Sequence, residues 1–172
     1  PAALLTAGPA AGKTTLLSQV MALSLDGELV PLLIKVQRLQ RRLLERPDAF
    51  ATAWNYVDAF LRLEFEAAHY RMLRQAMAGR RALLLLDGLD EAGTKRDEIE
   101  AHVTEVLAPQ GHVLLCTSRP AGLDLAGRFA GFRHMSLCQL TDAQQEQALS
   151  QRLGAERAAR LMPYVTEMVP ID

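Results

Sequence analysis

Short apolar runs recur along the chain, and longer stretches of helical period separate them. Five runs predict strands: Ala2–Thr6 (AALLT), Leu29–Val36 (LVPLLIKV), Ala82–Leu86 (ALLLL), Val113–Thr117 (VLLCT) and a weaker one, Phe132–Leu137. The run ALLLL has no alternation of apolar and polar positions, so it reads as a strand covered on both faces. Pro31 lies near the start of the second run, which suits an edge strand. Helices are predicted over Lys13–Leu25, over Gln37–Arg46 with Pro47 ending it, and over Arg96–Ala108 stopped by Pro109. A single long helix is predicted from about Thr52 to Ala78. Its inward stripe would be Trp54, Val57, Leu61, Phe65, Ala68, Met72 and Ala76, with Asp58 and Arg62 on its polar side and Gly79 at its end. From Thr141 the chain turns helical to its end, opened by a capping box of Thr141 with Gln144. Strands that alternate with helices and lack period-two patterning predict an α/β domain with a mostly parallel sheet between helical layers.

The composition agrees with a packed domain. The chain has 172 residues, 49% apolar and 23% charged, enough for one core of ordinary size. Lys plus Arg number 19 against 20 Asp plus Glu, a net charge of −1. No basic excess is present to hold nucleic acid by its phosphates, and no polybasic run suits an anionic membrane. The apolar runs are far shorter than the ~20 residues of a membrane span, and no signal-peptide layout opens the chain. Cys116 and Cys138 are too few for a disulfide framework or a four-cysteine zinc site. Both read as reduced, buried small hydrophobes of a cytoplasmic protein. The chain starts at Pro1 on the edge of an apolar run and stops at Val169-Pro170-Ile171-Asp172, which reads as a fragment of something larger.

The first candidate chemistry follows the first strand. The segment Ala7-Gly8-Pro9-Ala10-Ala11-Gly12-Lys13-Thr14-Thr15 ends in the Gly-Lys-Thr of the phosphate-binding loop pattern, placed between a strand and a helix as that pattern requires. Backbone N–H groups of such a loop curl round a phosphate, and the positive end of the following helix points at it. Gly12 allows close approach, Lys13 reaches the β- and γ-phosphates, and the Thr14 hydroxyl is a ligand for Mg²⁺. Gly8 to Thr15 are the candidate nucleotide-binding residues. The pattern departs from its usual form at Ala7, where the first glycine would fall, and at Ala10. Alanine resists a positive φ at a cost of about 1 kcal/mol, and Pro9 removes one N–H donor.

The second candidate follows the third predicted strand, in Leu83-Leu84-Leu85-Leu86-Asp87-Gly88-Leu89-Asp90-Glu91. A carboxylate at the carboxyl end of a buried strand is the Walker B arrangement, at the edge where open α/β sheets bind ligands. Asp87 is the candidate partner of Thr14 in holding Mg²⁺. Asp90 and Glu91 are the candidate carboxylates for orienting or deprotonating a water.

The run LLLLDGLDE resembles the Walker B segment of NACHT domains, the nucleotide-binding modules of NLR-type receptors and their relatives among the STAND-class signal-transduction ATPases. The resemblance extends to GKTTLL at 12–17, LVPLLIKV at 29–36, TSRP at 117–120 and SLCQLTDAQQEQALSQRL at 136–153. It implies a P-loop NTPase three-layer sandwich with sheet order 5-1-4-3-2, a nucleotide-binding domain over 1–138 and the start of a helical subdomain over 139–172. It also implies that Arg119 is a catalytic-site sensor of the γ-phosphate, with ATP or ADP and Mg²⁺ as cofactors. The function implied is a slowly hydrolysing switch in a signalling or immune-type receptor, which self-oligomerises through a full-length protein with flanking effector and sensor domains. Pro170, in MVPID, matches a base-contacting proline only loosely.

Asp90-Glu91-Ala92-Gly93 and Thr94-Lys95-Arg96-Asp97 fit two GTPase patterns, but the first starts past the strand end and the second touches it rather than capping a later strand. No LSGGQ-like segment supports a transporter ATPase. The alternative to the switch is a non-hydrolysing nucleotide-binding scaffold, motivated by Ala7 and Ala10.

Overall fold

The computed structural model describes residues 1–9, 11–138 and 140–168. The chain divides into two compact units, Pro1–Leu137 and Cys138–Asp172. The first holds a five-stranded sheet of β1 (Ala2–Thr6), β2 (Val30–Lys35), β3 (Ala82–Asp87), β4 (Val113–Ser118) and β5 (Arg133–Ser136). The spatial order is β2-β3-β4-β1-β5, and every pair is parallel. The order is the one the resemblance implies, and the sheet is wholly rather than mostly parallel.

Successive residues of a strand face opposite sides, so the leucine run of β3 serves two cores at once. Leu84 and Leu86 join the large core with Leu4, Ile34, Leu114 and Cys116, while Leu83 and Leu85 pack with Leu17 of α1 (Lys13–Ser24) on the other face. All six residues of β3 are buried. Burial pushes the Cys116 thiol far above its ordinary pKa. Cys138 is exposed, contrary to the expectation that both cysteines are buried. β2 is an edge strand, and Pro31 leaves its pairing with Leu83 intact because alternate residues of an edge strand turn their N–H away from the sheet.

The connection from β2 to β3 corrects the expected long helix. It is built from α2 (Val36–Glu45), α3 (Pro47–Ala51), α4 (Tyr56–Glu64) and α5 (Ala67–Ala78). Pro47 ends α2 and also opens α3, where a missing N–H is harmless. Asn55 starts α4 afresh: its side chain accepts the Asp58 N–H at 2.8 Å and donates to Gln110 Oε1 at 2.7 Å. A further break at Phe65–Glu66 resets the phase, so α5 buries Leu73 and Met77 rather than Met72 and Ala76. Trp54 and Phe65 of the expected inward stripe are exposed. Asp58 is buried, not on a polar face. It accepts the Tyr70 hydroxyl at 2.8 Å and pairs with Arg74 Nε at 3.4 Å, which ties α5 to α4.

Helix α5 ends in a Schellman arrangement in which Arg80 donates to Met77 O and Arg81 to Ala76 O. The left-handed position is Arg80, at φ 54°, and not Gly79. The next helix, α6 (Arg96–His102), continues as a π-helical turn over Val103–Leu107.

In the second unit, α7 (Asp142–Leu153) starts with the expected capping box. Gln144 N–H donates to Thr141 Oγ1 at 3.4 Å and Thr141 N–H donates to Gln144 Oε1 at 2.9 Å. Gly154 separates it from α8 (Ala155–Met168), which packs on α7. No helix among the described residues is long and apolar enough to cross a membrane.

Candidate functional site

The three central strands end at one edge of the sheet, and three segments converge there: the loop from β1 into α1, the 3-10 turn Leu89–Glu91 after β3, and the tip of β4. The first is shaped by Gly12, which caps α1 at φ 90°, a backbone setting that a side chain resists. The helix that follows leaves the N–H groups of Lys13, Thr14 and Thr15 without intrahelical acceptors, so they form a set of donors at its positive end. Lys13 folds back over the loop, and its ammonium donates to Ala7 O at 2.7 Å and Gly8 O at 2.9 Å. Ala7 is buried and its backbone is not in the left-handed region, so the expected strain there is absent. Gly8 likewise carries no positive φ. Ala10 and Pro170 lie outside the described residues.

The second segment meets the first through a direct bond. Thr14 Oγ1 donates to Asp87 Oδ2 at 2.8 Å, across 73 positions of sequence. The other oxygen of Asp87 accepts the hydroxyl of Thr117 at 2.9 Å, and that hydroxyl in turn accepts the Gly88 N–H at 2.9 Å. Both Asp87 and Thr117 are buried, so the carboxylate is held in one orientation by two hydroxyls, one from the first turn of α1 and one from the tip of β4. Gly88 stands at φ 81°, and a Cβ there would meet the Glu91 side chain at 3.1 Å. Glu91 therefore lies over the strand tip, exposed on its outer side.

The third segment brings Arg119. Its N–H donates to Asp90 Oδ1 at 3.1 Å and its Nε reaches Asp90 Oδ2 at 3.1 Å. The loop beyond is tied to α6 by two arginines that share the buried Glu100: Arg96 Nε at 2.7 Å and Arg128 at 3.1 Å. Arg96 also donates to Gly122 O at 3.0 Å.

These groups border one cleft of about 300 Å³, lined by Pro9, Ala11, Gly12, Lys13, Thr14 and Thr15 from the loop and by Asp87, Gly88, Asp90, Glu91 and Arg119 from the strand tips. Its wall is mostly polar, with one ammonium and one guanidinium facing three carboxylates. Thr14 and Asp87 supply two hard oxygen donors side by side, the chemistry that suits Mg²⁺, an ion that takes few protein ligands and completes its shell with phosphate and water. No cluster of three or more His, Cys, Asp or Glu among the described residues offers a dedicated metal cage. Sequence reasoning missed two features here. Thr117 was visible only as part of TSRP, although a hydroxyl at the end of an otherwise apolar strand is a usable signal. The Arg96–Glu100–Arg128 ties had no signal beyond the i, i+4 spacing of the first pair.

Comparisons with known proteins bear on the fold and the family. No curated protein matches the chain. Among solved structures, PCH-2 of C. elegans is similar over 92% of this chain and 40% of its own, at 15% identity and a TM-score of 0.50. The E. coli MS115-1 HORMA:CdnC:Trip13 complex contains a chain similar over 100% of this one and 61% of its own, at 18% identity and a TM-score of 0.54. The ORC1 protein of Aeropyrum pernix, solved in complex with DNA, is similar over 92% of this chain and 43% of its own, at 16% identity and a TM-score of 0.52. At such identities the likeness concerns the fold, which is that of P-loop NTPases, and the chain spans 40% to 61% of these structures' lengths. The NACHT domain family model matches residues 4–156, from β1 into α8, and the chain belongs to the NACHT domain family of nucleotide-binding P-loop NTPases.

Proposed function

We propose that this chain binds ATP with Mg²⁺ at the sheet edge and hydrolyses it slowly, as the nucleotide switch of a signalling or immune-type receptor in the cytoplasm. The observation that carries the reading is the 2.8 Å bond between Thr14 and Asp87 beneath Lys13, which joins the phosphate loop to the tip of β3. In this reading the N–H groups from Ala11 to Thr15 and the Lys13 ammonium bind the phosphates, with Lys13 exchanging its two loop carbonyls for phosphate oxygens. Thr14 and Asp87 hold Mg²⁺, which when bound offsets the charge of the β- and γ-phosphates. Glu91 accepts a proton from the attacking water. Arg119 touches the γ-phosphate, so its contact exists in the ATP state and is lost in the ADP state. A contact made in one state only biases an equilibrium between two conformations, and that is the physical basis of a switch. Residues 1–138 form the nucleotide module and 139–172 begin a helical subdomain, with oligomerisation a property of the longer receptor.

The non-hydrolysing scaffold is the other reading. One of its two motives, strain at Ala7, is removed by the ordinary backbone of that residue.

The test is nucleotide titration of the purified chain with Lys13→Ala beside it. Equal ATP affinity in both sinks nucleotide binding at this site. Phosphate release that stops in Glu91→Gln supports the hydrolase, and binding without release in the longer receptor supports the scaffold.

A further inference from the structure

Asp90 and Glu91 are adjacent carboxylates at the same strand tip, yet their surroundings differ. Both oxygens of Asp90 are engaged by one residue: Oδ1 accepts the Arg119 N–H and Oδ2 accepts Arg119 Nε, each at 3.1 Å. The Asp90 side chain is 12% exposed and that of Arg119 is 53% exposed, so the acid is the fixed member of the pair. Glu91 is exposed, and its carboxylate has no hydrogen-bond or ion-pair partner among the described residues.

We infer that Asp90 is a positioning residue for Arg119 and that Glu91 alone serves the attacking water. The inference rests on the nucleotide-binding reading above and divides its labour. The Asp90 clamp grips Arg119 at two points, the main chain and the middle of the side chain. It leaves both terminal guanidinium nitrogens without a protein partner among the described residues, on a side chain that lines the cleft. Those two nitrogens are the part of the fork that pairs bidentately with a phosphate. A long side chain loses rotamer freedom when it meets a ligand, and one already clamped loses less, so the same contact yields more affinity. Asp90 thereby acts on how strongly the site tells a triphosphate from a diphosphate. Glu91 acts on hydrolysis and not on that discrimination.

The experiment measures the ratio of ADP to ATP dissociation constants, with Mg²⁺ present, together with phosphate release. The proteins are the unaltered chain, Lys13→Ala, Asp90→Ala, Asp90→Asn, Arg119→Ala, the double variant Asp90→Ala/Arg119→Ala and Glu91→Gln. Asp90→Ala is expected to shift the ratio away from ATP by about tenfold, as Arg119→Ala does, with no further shift in the double variant. Asp90→Asn keeps an acceptor for the Arg119 N–H and lands between. Glu91→Gln stops release with the ratio intact. An Asp90→Ala protein that stops release at an unchanged ratio overturns the inference, as does a double variant whose two effects add. If Asp90→Ala does not fold by circular dichroism, Asp90→Asn decides by the same ratio. Absence of Lys13-dependent nucleotide binding overturns the parent reading and this inference with it. Lys13-dependent binding with a ratio indifferent to residue 90 overturns only the inference.

Discussion

The hydroxyl of Thr117 donates to Asp87 Oδ1 at 2.9 Å, so the tip of β4 fixes the carboxylate at the tip of β3. The Thr117 hydroxyl oxygen also accepts the Gly88 N–H, and no solvent reaches Thr117 to replace either bond. Thr117→Val keeps the shape and removes the hydroxyl, which strands a buried carboxylate oxygen and a buried N–H. The expected loss is about 1–3 kcal/mol of stability, read by urea unfolding. A weaker Mg²⁺-dependent component of ATP binding should accompany it. Thr117→Ser should restore both, and an unaltered Thr117→Val would show that the bonds contribute nothing net.

Asp58 is the buried charge of the helical connection, held by Tyr70, by Arg74 and by the Trp54 N–H at 3.3 Å. Asp58→Ala leaves the Tyr70 hydroxyl and the Trp54 N–H without their acceptor, while Arg74 stays half-exposed to water, so the change should cost about 1–3 kcal/mol. Burial, and after it the bond to Asp58, raises the Tyr70 phenol above its usual range. Thermal unfolding measures the cost, and a change within experimental scatter would show that α4 and α5 stay docked without it.

His102 predicts a pH dependence. Its ring stacks on Tyr56 with centroids 3.7 Å apart, and its Nε2 accepts the Tyr56 N–H at 2.9 Å, a bond that only the neutral imidazole makes. Burial lowers its pKa from 6.5 to about 4. Between these values the unfolded chain binds a proton that the folded one refuses, so stability falls as pH drops from 6.5 toward 4. Burial lowers His112 in the same direction. His102→Gln keeps an acceptor and does not titrate, so denaturation midpoints should vary less across this window in that variant, with a remainder from His112. An unchanged slope would assign the effect elsewhere.

Arg80 carries the left-handed position at the end of α5, at φ 54°. A side chain there is disfavoured by about 1 kcal/mol and glycine is not. Arg80→Gly should therefore raise stability by roughly 0.5–1 kcal/mol, seen as a higher denaturation midpoint. A lower one would show that the Arg80 side chain, which lies beside Gly111, contributes more by packing than its backbone costs.

The sheet and the phosphate loop were legible in the sequence because their signals are local. A leucine run without alternation has to be covered on both faces, and Gly-Lys-Thr after a strand places donors at a helix start wherever the rest of the chain goes. The capping box at Thr141 was readable for the same reason. Helix period across Thr52–Ala78 was real, but period does not register a break that propensity fails to mark. Neither Phe65 nor Glu66 is a glycine or proline, and the bonds of Asp58 to Tyr70 and Arg74, which hold the two helices together across the break, join residues that the helical period does not pair. Sequence patterning by itself thus determined which runs are strands and which residue types reach the edge of the sheet. Only the tertiary structure decided that Thr14, Asp87 and Thr117 share one set of hydrogen bonds, and that Asp90 holds Arg119. Such pairings join residues tens of positions apart, and their energy exists only once the folded backbone has brought the start of α1 and the strand tips side by side.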